Sequence, residues 1–249
     1  AMNHHHGIQA EERFDLNLAK DYDTDHDKDG VERELTIGDI TAISVWQAQL
    51  STPTQIMPKN PHARTMVEQG EALFAMVGCA SCHMPVMTLN TRNFMEPNPY
   101  NPDGTCSGAA GGCPTYYFDM TTEGDKPRLE KGPQGTAIVR AYTDLKRHTL
   151  CDAEGDMDAI RFFCNELLTQ GRPEQNGISG TEFFLTRKLW DVGNTAPYGH
   201  RGDVSTIWEA IYYHGGEARA SRDAYLALLD IEQKAVVNFL KTLQIVPQK

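Results

Sequence analysis

Cys79-Ala80-Ser81-Cys82-His83 is the segment whose residue types and spacing carry chemistry most directly. Two thiols three positions apart, followed at once by an imidazole, form the attachment signature of a c-type haem. The thiols bond to the two vinyl groups of the porphyrin, and the histidine reaches the iron as its proximal ligand. A bare Cys-x-x-Cys also serves as half of a zinc site or as a redox dithiol. The adjoining His83, and the lack of a second Cys-x-x-Cys in the sequence, favour haem over both. One covalent haem c held by Cys79, Cys82 and His83 is therefore expected.

What such an iron does depends on its sixth coordination position. A strong second ligand suits electron transfer, whereas an open position binds peroxide or oxygen. Of the nine methionines none lies beyond Met157. Met84 and Met87 follow His83 too closely to wrap to the opposite face, which leaves Met95, Met120 and Met157, with Met120 the best placed. The C-terminal third offers His214 and His200 instead. His214 ends a predicted helix and precedes Gly215-Gly216, where the missing Cβ atoms would let the backbone approach the porphyrin. His200 lies in the loop Pro197-Tyr198-Gly199-His200-Arg201-Gly202. Plainer roles stand beside these: His214 as a cap on its helix C-terminus, His200 as the pin of a turn. From the residues alone His214, Met120, His200 and an open iron all remain in play.

The elements that must position these groups read as helices joined by long loops. Thr36 to Leu50 predicts a helix, with Ile37, Ile40, Ile43, Trp46 and Leu50 at helical spacing. Residues 51–62 carry three prolines and predict an extended linker. Residues 63–78 predict a helix that runs straight into the haem motif. Residues 84–135, dense in Pro, Gly and Asn, predict a loop layer. Short helices are expected at 142–149 and 156–168, an irregular stretch at 181–203, and helices at 205–214, 219–229 and 230–244. Gly70 permits close helix approach and Phe74 a large apolar face, facing Val236, Val237, Phe239, Leu240 and Leu243 of the last helix. Two such helices crossing beside the haem give the expected fold: mostly α, a cytochrome c-like helical domain with long loop insertions. The expected domains are an N-terminal extension over 1–62 and a haem domain over 63–249.

The chain has 249 residues and a net charge of −11. That charge disfavours nucleic acid, and an acidic face would steer a basic redox partner, although a solvated acidic surface is the plainer reading. Mean hydropathy is −0.48, and no apolar stretch is long enough to span a bilayer. Beyond Cys79 and Cys82 lie Cys106, Cys113, Cys151 and Cys164. An even remainder in an oxidising compartment reads as two disulfides, with the local pairs Cys106–Cys113 and Cys151–Cys164 the simplest connectivity. Haem attachment outside the cytoplasmic membrane predicts a periplasmic or extracellular location. No signal peptide is evident, so the chain is read as processed or as a fragment of something longer. Asp25, Asp27 and Asp29, followed by Gly30, match the first half of a calcium loop. The twelfth position is Thr36 rather than Glu, so Glu34 or Asp39 would have to complete a structural calcium site.

Lys188-Leu189-Trp190-Asp191-Val192-Gly193-Asn194-Thr195-Ala196-Pro197-Tyr198-Gly199-His200-Arg201-Gly202 resembles the bacterial di-haem oxidoreductase family, relatives of the di-haem cytochrome c peroxidases. Ser205 to Ile211, His214 to Ala218, Asp144 to His148, Asn3 to Gln9 and Glu12 to Phe14 fit the same resemblance. The resemblance implies that His214 occupies the position of the distal ligand, so that His83 and His214 form a bis-histidine pair. It implies a second haem in an N-terminal domain that this chain lacks, so that the chain resembles the electron-transferring C-terminal half. It makes Tyr198, His200, Trp190 and His148 candidates for the pocket wall or the path between haems. The expected partner is a redox protein, a second haem domain or another subunit. The alternatives are reduction of hydrogen peroxide at this haem, and a non-catalytic subunit of a larger electron-transfer assembly.

Overall fold

The computed structural model describes residue 8 and residues 28–31, 34–97, 115–153, 155, 157–164, 172–174, 177–179 and 183–245. Backbone contacts divide the chain into two compact units. The first comprises Ala1–Ser51 and Leu89–Ala137, and the second Thr52–Thr88 and Ile138–Lys249. The haem motif and every histidine proposed to meet the iron lie in the second.

In the first unit, helix α1 (Ile37–Gln49) starts from a capping box: the Asp39 amide donates to Thr36 Oγ1 at 3.1 Å, and the Thr36 amide donates to Asp39 at 3.0 Å. Its apolar spacing does not mark a deep core face, because Trp46 is 60% exposed. Asn93–Glu96 pairs antiparallel with Tyr116–Asp119, placing Phe94 opposite Phe118 with stacked rings 5.0 Å apart.

The second unit is built on helices α2 (Pro61–Met76) and α5 (Asp230–Leu240). Asn60 caps α2 by accepting from the amides of His62 and Ala63, and Pro61 occupies the first turn, where no amide is needed. The helices cross at Gly70, where a Cβ would collide with the Ala235 carbonyl. Val67, Phe74, Val236, Phe239 and Leu240 are buried along this crossing. Phe74, Tyr142 and Phe239 pack as an aromatic cluster, their ring centroids 5.4–6.4 Å apart. The predicted linker is tied down, since Thr54–Gln55 pairs antiparallel with Leu243–Gln244. Helices α3 (Ile207–Tyr212) and α4 (Arg219–Leu226) complete the helical part.

The expectation of a mostly α, cytochrome c-like fold is overturned. The structure is 35% helix and 16% strand, and its strands form several small sheets. Each strand spans only two to four residues, too short for period-two alternation to show in the sequence. The helix predicted at 142–149 is replaced by a left-handed Tyr142 (φ 51), a left-handed Leu145 (φ 56) and a strand, Arg147–Thr149, paired with Phe183–Leu185. Over 156–168 the described residues are turns rather than helix. No helix among the described residues is long and apolar enough to cross a membrane.

Candidate functional site

The haem motif begins where α2 ends. Val77 closes the helix and Gly78 (φ 91) turns the chain out of it, a left-handed conformation that glycine adopts without penalty. Cys79–Ser81 then forms one 3₁₀ turn, and the His83 amide donates to the Cys79 carbonyl at 3.0 Å. Both thiols and the imidazole thus sit on one tight turn. Cys79 and Cys82 are half-buried and carry no disulfide. Burial pushes the Cys79 thiol up to about 11, so it is protonated at neutral pH. An activated redox thiol carries the opposite shift.

The orientation of His83 is set by its Nδ1, 3.1 Å from the Tyr142 carbonyl oxygen. A carbonyl only accepts, so Nδ1 carries the proton and Nε2 keeps its lone pair. The ring packs against Phe74, centroids 6.4 Å apart. Burial, reinforced by the neighbouring His214 imidazole, lowers the pKa of His83 to about 4. It is therefore neutral and able to bind a metal across the physiological range.

His214 is presented by α3, a helix of six residues with a capping box between Thr206 and Glu209. Its amide closes on the Ile211 carbonyl at 3.1 Å, and its Nδ1 donates to the Ala210 carbonyl at 2.6 Å. His214 therefore does cap its helix, but through Nδ1, which leaves Nε2 with a lone pair. Burial lowers its pKa as well. The two histidines share one feature, Nδ1 on a backbone carbonyl, and His214 lies near enough to His83 to add to burial in lowering its pKa, against the opposing pull of the Tyr142 and Arg187 carbonyls. Tethering of one ring nitrogen while the other faces a metal is the usual support of a ligating histidine. Two neutral imidazoles with Cys79 and Cys82 nearby are a donor set that fits a haem iron.

Gly215 and Gly216 serve a different purpose from the one expected. A Cβ at 215 would lie 2.7 Å from the Leu150 carbonyl oxygen, and one at 216 would collide with the Thr149 carbonyl. The glycines let the His214 turn close against residues 149–152, and no approach to a porphyrin is needed to explain them. The segment they meet is fastened by the Cys151–Cys164 disulfide, which forms as predicted. Cys106 and Cys113 lie outside the described residues.

His148 is held between two carboxylates: Nδ1 is 2.7 Å from Glu217 and Nε2 is 2.8 Å from Asp144. Carboxylates accept at both nitrogens, so the ring is an imidazolium. Hydrogen bonding to Glu217, then to Asp144, raises its pKa. Burial works to raise Asp144, but the Lys146 amide and His148 outweigh it and bring the carboxyl down to about 2. Cys82 Sγ, Asp144 and His148 also come within 4.8 Å of one another. With both His148 nitrogens protonated, that group is an ion pair beside the haem motif rather than a metal site.

The remaining candidates are dispersed. The Trp190 indole donates to the Arg140 carbonyl at 2.9 Å, and the Lys188 ammonium lies over its ring. The Tyr198 hydroxyl donates to the Val192 carbonyl at 2.6 Å, a structural bond. His200 is exposed, with Phe184 the ring nearest it at 6.4 Å. Met157 is 87% exposed, and Met95 and Met120 belong to the first unit. Asp25 and Asp27 of the acidic loop lie outside the described residues, and Asp29 accepts from the Val31 amide at 2.8 Å; Glu34 carries an interaction of its own.

Sequence reasoning missed Asp152, Arg222, Glu217 and the Tyr142 carbonyl. Glu217 lies within the His214–Ala218 segment that carries the resemblance, without a role read for it, and the others belong to no periodic pattern or spaced motif. The available hint was an Asp directly after Cys151, since a disulfide-fastened acidic residue is well placed to accept buried amides.

Residues 143–243 match the family model described as "Di-haem oxidoreductase, putative peroxidase". No curated protein matches the chain.

Proposed function

We propose that this chain, whose residues 143–243 match the di-haem oxidoreductase family model, is a periplasmic c-type cytochrome unit that carries electrons to or from a second haem centre. Cys79 and Cys82 would anchor a haem through thioethers, and His83 and His214 would bind its iron. The observation that carries the reading is the matched pair of histidines, each with Nδ1 donating to a carbonyl. A bound haem supplies a one-electron couple. The chain's own residues hold that couple in place: Tyr142 fixes the tautomer of His83, Ala210 that of His214, and the aromatic cluster of Phe74, Tyr142 and Phe239 excludes water from the proximal side. The Cys151–Cys164 disulfide supports an oxidising compartment.

Low-temperature EPR of the oxidised holoprotein tests the assignment. A single low-spin bis-histidine signal is expected. A five-coordinate, high-spin iron would instead favour peroxide reduction at this haem and sink the electron-transfer reading. His214→Ala should open the iron and add carbon monoxide binding to the reduced protein.

A further inference from the structure

The side chain of Asp152 is 1% exposed, and it is enclosed by donors from three parts of the second unit. Its Oδ1 accepts from the Gly216 amide at 2.7 Å. Its Oδ2 accepts from the Ile160 amide at 2.7 Å and from Arg222 Nη1 at 3.4 Å, with Arg219 Nη1 3.9 Å away. Burial opposes the charge on Asp152, but the Ile160 and Gly216 amides and Arg222 outweigh it, so the carboxyl lies below its ordinary range. The backbone around it repeats the same connection: the Gly215 amide donates to the Leu150 carbonyl at 3.2 Å, and the Thr149 amide to Glu217 at 3.0 Å. Helix α3 is too short to fix its own C-terminus, because helices of this length depend on outside contacts. The turn that follows it, 214–216, belongs to no sheet. Besides the Ala210 carbonyl on its Nδ1, His214 is held in direction by the docking of the turn, Gly215 on Leu150 and Gly216 on Asp152.

We propose that Asp152 is the positioning residue of the distal ligand: its carboxylate anchors Gly216 and so fixes the approach of His214 Nε2 to the iron. This rests on the reading of His214 as that ligand. Asp152→Asn leaves one of the two buried amides, Ile160 or Gly216, facing an NH2 group, and Asp152→Ala leaves both short of an acceptor, a cost that the turn relieves by moving. The disulfide cannot substitute for it, since Cys151–Cys164 fastens the segment beneath the turn and Asp152 makes the side-chain bond to the turn itself.

Asp152→Asn is close to isosteric and removes the charge. In the haem-loaded protein, part of the ferric EPR signal should become high-spin. Carbon monoxide should bind the ferrous protein about tenfold faster than in the wild type, in line with the loss seen when the support of a metal ligand is removed. Both are measured at a temperature where far-ultraviolet circular dichroism matches the wild type. A purely structural Asp152 would lower the melting temperature and leave EPR and carbon monoxide kinetics unchanged, which overturns the proposal. Asp152→Ala, which leaves neither oxygen, is the second variant: partial opening of the iron supports the proposal and wild-type kinetics overturn it. His214→Ala, run alongside, separates the two readings. If it stays low-spin, the ligand assignment falls and this inference with it; if it opens while Asp152→Asn does not, only the inference falls.

Discussion

His148 shows how one residue ties together two elements on either side of the site. It follows Asp144 by four positions and reaches Glu217, three residues past His214. Because both carboxylates must be ionised and the imidazole protonated, the clamp has a pH window. Hydrogen bonding raises the folded pKa of His148. Its contribution is fully present below the unfolded value near 6.5 and is lost as pH rises through the folded value. Glu217 is lowered, chiefly by His148. Its contribution is present above its unfolded value of about 4.5 and is lost as pH falls through the folded value. The clamp is thus strongest between about pH 4.5 and 6.5. With Glu217 half exposed, its worth is roughly 1 kcal/mol. Thermal melts across pH 5 to 9 should show His148→Gln less stable than the wild type at pH 5.5, with the gap closing as pH rises. A gap independent of pH would mean that the imidazole is held for its shape rather than its charge.

At the scale of elements, the crossing of α2 and α5 carries the second unit, and Gly70 sets how closely they approach. Gly70→Ala improves helix propensity by about 1 kcal/mol but drives a methyl into the Ala235 carbonyl, and backbone yields less readily than a side chain. A net loss of about 2 kcal/mol is expected, which lowers the melting temperature by roughly 4–8 °C; an unchanged melt would show that the helices can separate at no cost. This crossing was legible in the sequence because Gly70, Phe74, Val236, Phe239 and Leu240 recur at helical spacing. The capping boxes at Thr36 and Thr206 have a local signature too, an acidic residue three positions on, though the sequence reading placed only the helices they start. The strands were not legible. Arg147–Thr149 sits among residues that favour helix, and its state is decided by Phe183–Leu185, far along the chain, together with the left-handed turns at Tyr142 and Leu145.

Across the whole molecule, the same division between local and distant information separates what the sequence tells of the site from what it does not. The haem motif is contiguous, so Cys79, Cys82 and His83 could be read from spacing alone. The hold on His214 is assembled from residues 149–152, 160, 216 and 222, and no spacing announces it. Net charge is likewise a property of the whole chain that conceals its distribution. The first unit carries −9 and the second −2 of the total −11. A net −6 of the first unit's −9 falls on residues 9–27 and 98–114, outside the described residues, and the unit proposed to hold the haem carries little excess charge. Raising sodium chloride from 0.01 to 0.15 M shortens the screening length from about 30 to about 8 Å. That should slow amide exchange in the Asn93–Glu96 and Tyr116–Asp119 pair, by roughly threefold for a modest relief of repulsion. Exchange in α2 and α5 should stay nearly constant, as should the melting midpoint read from the haem absorption band. Equal slowing in both units would mean that the excess acidity acts on the chain as one body rather than on the first unit.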